Sequence, residues 1–113
     1  NRPKIKGIEK FEGKGVSYCA ICDGFFYRNR SVAVLGSGNY AIAETNELIN
    51  IADNITILTN GKKAPEFRAD NVKVDTKEIE EIEGTDKVEE VKIKEGTTIK
   101  TDGIFVAEGV AGN

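Results

Sequence analysis

The sequence predicts an α/β fold: a Rossmann-like parallel sheet joined to an antiparallel β-meander within a single three-layer domain. Three observations predict it. Ser31-Val32-Ala33-Val34-Leu35 is a short apolar run of the kind that fills a strand buried on both faces. It runs into Gly36 and Gly38, beyond which Ala41, Thr45, Leu48, Ile49 and Ala52 repeat at offsets of three and four, the stripe of an amphipathic helix. From Lys77 to Asp102 isolated apolar residues sit among charges and turn signals, the pattern of antiparallel strands with one wet face.

Composition bounds the rest. At 113 residues the chain is long enough for one domain with a real core and too short for a second of ordinary size. Hydrophobic residues at 39% and charged residues at 31% describe a globular protein, and Gly 12 against Pro 2 suggests tight turns between ordered elements. Lys+Arg 16 against Asp+Glu 19 gives a net charge of -3 with no basic block, which argues against nucleic acid or an anionic membrane surface as a partner. No apolar run approaches the roughly 20 residues of a membrane span, and the expected location is the cytoplasm. The chain opens on Asn1 rather than methionine and stops at Gly112-Asn113 just after an apolar run, as a piece cut from something larger would.

Taken in order, residues 1–15 are polar and lysine-rich, with Ile5, Ile8 and Phe11 at three-residue spacing, and read as a connector with one short turn. Residues 16–113 form the domain proper. Gly15-Val16-Ser17-Tyr18 leads into the two cysteines, Cys19 and Cys22, and Phe25-Phe26-Tyr27 follows them, so the thiols sit among aromatics on a turn or short helix. The first buried strand, the glycine turn and the helix come next. Asp53-Asn54 breaks the helix, and Ile55-Thr56-Ile57-Leu58 is the second strand of a βαβ unit, with a right-handed crossover expected. A polar loop through Asn60, Lys62 and Lys63 precedes a third strand over Val72-Lys73-Val74-Asp75. Ile79-Glu80-Glu81-Ile82 suits a helical turn as well as the first strand of the meander. Gly103-Ile104-Phe105-Val106-Ala107 closes the chain as another buried strand.

Two features carry chemistry. The first is Cys19-Ala20-Ile21-Cys22-Asp23. Thiols two residues apart can close a small disulfide ring and reopen it, and the adjacent carboxylate of Asp23 can deliver or collect the proton that each step moves. A structural zinc site is the first rival, but with no histidine and no third cysteine a tetrahedral site needs carboxylates or a second chain. No metal site is expected. Two thiols that merely pack in the core are the second rival. Cys19 near a helix start would have its thiolate favoured by unpaired N–H groups there.

The second is Gly36-Ser37-Gly38-Asn39-Tyr40-Ala41, a G-x-G-x-x-A turn between strand and helix. Gly36 permits the sharp turn, Gly38 leaves room for a pyrophosphate to approach the backbone, and Ala41 lets helix and sheet close up. The rival is a plain strand-to-helix turn that binds nothing.

A Cys-x-x-Cys-Asp-Gly just ahead of such a βαβ unit resembles the thioredoxin reductases of the low-molecular-weight type. The likeness runs from about Gly7 to the end of the chain. Members typically read Gly-Val-Ser-Tyr-Cys-Ala-Thr-Cys-Asp-Gly where this chain has residues 15–24, and continue into a glycine turn ending Ala-x-x-Glu, here Ala41 to Glu44. They leave the domain through a strand like Asp102-Gly103-Ile104-Phe105-Val106-Ala107.

The resemblance implies an NAD(P)-binding domain inserted into an FAD domain that is discontinuous in sequence, with residues 1–15 as the connector from that domain. Electrons would pass from NADPH to FAD, then to the Cys19–Cys22 disulfide, then to the disulfide of thioredoxin. It further implies that Cys22 faces the flavin, that Cys19 exchanges with the substrate, that Asp23 acts as general acid and base, and that the full-length protein is a homodimer. Glu44 and the turn residues Ser37, Asn39 and Tyr40 fall among the nucleotide-binding positions. The absence of histidine fits, because relatives of the glutathione reductase kind use a histidine for that proton.

The chain departs from the pattern twice. Where NADPH-using members carry His-Arg-Arg for the adenosine 2′-phosphate, this chain has Thr59-Asn60-Gly61, with only Lys62 and Lys63 close by and no acid for the ribose hydroxyl of NADH. Tyr40 replaces a small Ser or Thr and brings bulk to the phosphate turn. Some thioredoxin-reductase-like flavoproteins of anaerobes lack these motifs and draw electrons from ferredoxin or another carrier, and the chain resembles those too. A nucleotide-binding module with inert cysteines, and a rigid carrier of the cysteines with its nucleotide site lost, complete the alternatives.

Overall fold

A computed structural model describes residues 3–108 of the chain. The ends on which the expectation of a cut piece rests, Asn1 and Gly112-Asn113, lie outside the described residues. A five-stranded parallel sheet forms the middle layer. Its strands are β1 (Val16–Ser17), β2 (Ser31–Leu35), β3 (Asn54–Leu58), β4 (Val72–Asp75) and β8 (Gly103–Val106), in the spatial order β1-β8-β2-β3-β4. Strand β2 pairs with β3 from Ser31↔Asn54 to Leu35↔Leu58, and with β8 from Val32↔Gly103 to Leu35↔Val106.

Side chains alternate across this sheet, which explains why its strands read as continuous apolar runs. Val32, Val34, Ile55, Ile57 and Phe105 pack on one face with Ala41 and Leu48 of helix α2 (Asn39–Leu48). Ala33, Leu35, Leu58, Ile104 and Val106 pack on the other with Ile82, Val91 and Ile93. Those last three belong to the second sheet, an antiparallel meander of β5 (Ile79–Gly84), β6 (Val88–Ile93) and β7 (Thr98–Lys100). The layers are therefore helix, parallel sheet and antiparallel sheet, as the sequence predicts.

The Ile79–Ile82 segment is a strand, and the register explains the ambiguity of its sequence. Residues three apart on a regular strand face opposite ways, yet Ile79 and Ile82 are both buried in the same cluster. The pairing with β6 shifts register between Ile79 and Glu81, and this irregularity returns both isoleucines to the core; a second shift falls between Glu83 and Gly84.

Residues 3–15 pack rather than dangle. Ile8 and Phe11 are buried with the meander's apolar residues, Ile82 N–H donates to the Lys6 carbonyl at 2.8 Å, and Val88 N–H donates to the Lys14 carbonyl at 2.9 Å. A turn closed by Phe11 N–H on the Gly7 carbonyl at 3.1 Å brings the two apolar residues together. Between β3 and β4 the described chain forms no helix; residues 59–71 cross as a loop, pinned by Asn71 Nδ2 donating to the Ile49 carbonyl at 3.0 Å. Among the described residues no helix is long and apolar enough to cross a membrane.

Candidate redox site

The site residues collect at the carboxyl ends of β1, β2 and β3, the edge at which open parallel sheets present ligand-binding loops. Strand β1 delivers Tyr18 and Cys19, and Cys19 caps a single helical turn, α1 (Ala20–Asp23), with extended backbone at φ -147 and ψ 105. That turn carries Cys22 three residues on, and the two cysteines are joined by a disulfide, with Cα atoms 5.3 Å apart. Cys22 N–H points at Cys19 Sγ at 3.2 Å. Cys22 is exposed and Cys19 half-buried.

Ser17 and Glu44 hold this turn in place. Ser17 Oγ donates to Asp23 Oδ2 at 2.7 Å and accepts Cys19 N–H at 3.1 Å, so one hydroxyl ties the carboxylate to the cysteine-bearing backbone. Ala20 N–H donates to Glu44 Oε1 at 2.9 Å. Burial pushes the Glu44 carboxyl above its ordinary value, the Ala20 bond works the other way, and Glu47 adds a like charge. Tyr40 OH reaches back from α2 to the Tyr18 carbonyl at 3.2 Å.

An apolar surface surrounds the disulfide. Ile21, Phe25 and Phe26 are 76%, 66% and 74% exposed, and Arg28 lies 4.8 Å over the Phe25 ring. Phe25 and Phe26 belong to a 3-10 turn over Gly24–Tyr27. Tyr27 turns inward instead, edge-on to Phe105 with ring centroids 5.4 Å apart; burial raises its phenol's pKa, with Asp23 and Asp102 adding to the effect. A cleft of about 530 Å³ adjoins it, lined by Phe26, Tyr27 and the charged side chains of Lys14, Arg30, Lys87 and Asp102 among others.

The glycine turn offers a cradle for a phosphate. A Cβ at Gly36 would stand 2.3 Å from the Ala107 carbonyl oxygen and 3.1 Å from Ala41 Cβ, so sheet and helix close only around a glycine. At Gly38 a Cβ would meet nothing within 4 Å, which leaves open space in front of the start of α2. Gly38 caps that helix without a side-chain bond, leaving its first N–H groups turned to this space. Ser37 is half-buried and Asn39 exposed beside it. The residues present therefore fit a pyrophosphate.

The corner for a 2′-phosphate fits less well. Asn60, at φ 55, and Gly61, at φ 88, form a tight turn closed by Lys62 N–H on the Thr59 carbonyl. Asn60 Oδ1 is engaged by Ile79 N–H at 2.8 Å, so this side chain fastens the loop to the meander. Lys62 and Lys63 are exposed.

Among the residues named from sequence, the structure brings Cys19, Cys22, Asp23, Tyr40 and Glu44 together at the redox turn. Gly36, Ser37, Gly38, Asn39 and Ala41 form the phosphate turn, while Asn60, Lys62 and Lys63 lie on the loop after β3. Sequence reasoning assigned no role to Ser17, whose only signal is a hydroxyl two residues ahead of Cys19. The signal for Glu44 at the redox turn is an acid three residues after Ala41, on the apolar stripe of α2.

A parallel nucleotide-type sheet whose first strand sets a Cys-x-x-Cys disulfide against the phosphate-turn helix defines a disulfide-oxidoreductase domain of the α/β class. The chain belongs to the pyridine nucleotide-disulphide oxidoreductase family, whose sequence profile matches residues 1–113. Among curated relatives, a thioredoxin reductase from Buchnera aphidicola subsp. Schizaphis graminum is 36% identical over 98% of this chain and 42% of its own length. A glucosaminate ammonia-lyase from Pseudomonas fluorescens is 38% identical over 89% of the chain and 37% of its own length. The chain thus spans about two fifths of the curated relatives it matches. Of solved structures, the atypical thioredoxin reductase TRi from Desulfovibrio vulgaris Hildenborough superposes with TM-score 0.86 at 38% identity, over 98% of this chain and 40% of that one. A ferredoxin-flavin thioredoxin reductase from Clostridium acetobutylicum gives TM-score 0.83 at 32% identity, over 96% of this chain and 38% of that one.

Proposed function

We propose that this chain is the nucleotide-binding, disulfide-carrying domain of a flavin-dependent disulfide reductase of the thioredoxin reductase type, cytoplasmic and homodimeric as a whole protein. The observation that carries the proposal is the closed Cys19–Cys22 disulfide with the Asp23 carboxylate tied by Ser17 to the same turn. A bound FAD, held mainly outside this chain, would supply the two electrons that open the disulfide.

The chain's own residues account for the exchange with substrate. Once reduced, the Cys19 thiolate attacks a substrate disulfide and forms a mixed disulfide, and the departing substrate sulfur takes a proton from Asp23. Cys22 then attacks Cys19 Sγ, closes the ring and releases the second substrate thiol. Two electrons pass to the substrate, and Cys19–Cys22 returns to its oxidised state. The exposed Ile21, Phe25 and Phe26 beside the disulfide offer an apolar contact for a thioredoxin-like partner.

A second reading concerns the donor. Asn60 fastens its loop and residues 59–63 include no arginine, which favours an electron source other than NADPH, such as ferredoxin. The phosphate turn at Gly36 and Gly38 supports the nucleotide instead, so the donor is decided by titration.

The test of the disulfide reading is a single turnover. The chain, reduced with dithiothreitol and freed of it, is mixed with oxidised thioredoxin, and thiols on both proteins are trapped by alkylation and weighed. Thioredoxin should gain two thiols as Cys19 and Cys22 lose theirs, and Cys19→Ser should abolish the transfer. Two persistently free thiols on the chain, with thioredoxin unreduced, would reject the reading.

A further inference from the structure

At the start of a helix, unpaired N–H groups ordinarily favour a cysteine thiolate. In this chain one of those donors, Ala20 N–H, is diverted to a carboxylate. Cys19 N–H goes to Ser17 Oγ and Ala20 N–H goes to Glu44 Oε1, leaving Cys22 N–H on Cys19 Sγ. The acceptor on Ala20 is a carboxylate, only 8% exposed, brought from a different element and placed on the amide next in sequence to Cys19. It takes a donor from the redox turn and sets a carboxylate on the backbone amide that follows the cysteine on which a thiolate forms.

We propose that Glu44 is a positioning residue that tunes the Cys19–Cys22 pair, holding its reduction potential low so that the dithiol is a strong reductant. The inference rests on the reading of that pair as reversible. Reduction breaks the Sγ–Sγ bond and adds two electrons and one proton, leaving Cys22 a thiol and Cys19 a thiolate; dithiothreitol supplies both in the test, closing to its own cyclic disulfide and releasing its second proton to the buffer. Like charges at Glu44 and the new thiolate raise the free energy of the reduced form, whereas the disulfide carries no charge to repel. Glu47, on the same helix, and Asp23, bonded to Ser17 on the redox turn, add further negative charge to this corner. The charge of Glu44 is set apart from theirs by its bond to the Ala20 amide.

The experiment equilibrates the whole chain in graded dithiothreitol redox buffers at about pH 9, where the thiolate is populated, and counts thiols by alkylation and mass spectrometry. Glu44→Gln keeps an acceptor for Ala20 N–H and removes the charge; it should favour the dithiol about fivefold, a rise of about 20 mV for a two-electron couple. Glu44→Asp keeps the charge and should stay within twofold of the unmodified chain, as should Glu47→Gln. An unmoved Glu44→Gln, or an equal shift in Glu44→Asp, overturns the tuning role while leaving the redox reading intact. A pair that never opens or never closes in these buffers overturns the redox reading itself. Should Glu44→Gln fail to fold, the pH profile of thiol alkylation on the unmodified chain decides: beside the Glu44 charge Cys19 should ionise above the range of an ordinary cysteine, and ionisation at or below that range refutes the proposal.

Discussion

The hydroxyl of Ser17 gives Asp23 a fixed direction. A carboxylate on a four-residue turn is free to swing toward solvent, and the 2.7 Å bond from Ser17 Oγ holds it against the turn that carries both sulfurs. General acid and base catalysis contributes roughly 10²–10⁴-fold when the group is in reach of its proton. Asp23→Asn should therefore slow dithiol exchange with oxidised thioredoxin by about 100-fold or more, with little change in the equilibrium reached. Ser17→Ala, which releases the carboxylate without removing it, should cost about tenfold, in line with a hydrogen bond to a charged group worth about 1.5–3 kcal/mol. Stopped-flow thiol kinetics measures both, and a further tenfold loss when Ser17→Ala is added to Asp23→Asn would show that Ser17 acts through the fold rather than through Asp23.

At the scale of elements, the two glycines of the phosphate turn have different tasks, and substitution should separate them. Gly36 faces the Ala107 carbonyl, where a methyl group would stand 2.3 Å from backbone oxygen that has no room to yield. Gly36→Ala should lose about 3 kcal/mol of stability by urea unfolding, as overpacking against fixed structure does. Gly38→Ala has open space and φ -107, so its stability should stay within about 0.5 kcal/mol while nucleotide binding falls. The turn itself was legible in the sequence because glycine spacing, the preceding apolar run and the helical stripe all agree on it. The burial of Ile8 and Phe11 was only hinted at, since a three-residue spacing says that residues share a side without saying what they pack on. Ile79 and Ile82 were ambiguous because bulges break the period on which strands are recognised. Glu44 and Asn60 carry the same lesson for polar residues. Their motif positions suggested cofactor contacts, yet each side chain bonds a backbone amide far away in sequence, Ala20 and Ile79, and no local pattern announces such a partner.

At the scale of the whole molecule, the redox turn and the phosphate turn share one edge of one sheet, and on the proposed reading a flavin held mainly outside this chain carries electrons between them. A nicotinamide does not reduce a disulfide at a useful rate without a flavin between them. The purified chain should therefore be colourless and should not reduce thioredoxin when given NADPH alone; a yellow preparation with turnover would contradict this. On the same reading, any affinity for NADPH would be set by the loop after β3. A 2′-phosphate is ordinarily gripped by arginine in bidentate fashion, each charge-assisted bond being worth about 1.5–3 kcal/mol. Asn60, its Oδ1 taken by Ile79 N–H, has only a neutral amide to offer, and Lys62 and Lys63 are exposed point charges on flexible stems, so binding should be weaker by roughly ten- to a hundred-fold for each bond lost. Tyr40, by contrast, turns its hydroxyl to the Tyr18 carbonyl, and a Cβ on Gly38 would meet nothing within 4 Å, so the loss should fall on the 2′-phosphate rather than on the pyrophosphate. NADPH and NADH should then bind with similar, weak affinity in calorimetric titration, with dissociation constants well above the micromolar range. A low-micromolar constant for NADPH, lost on Lys62→Ala with Lys63→Ala, would show the lysines replacing arginine and would return the donor to NADPH.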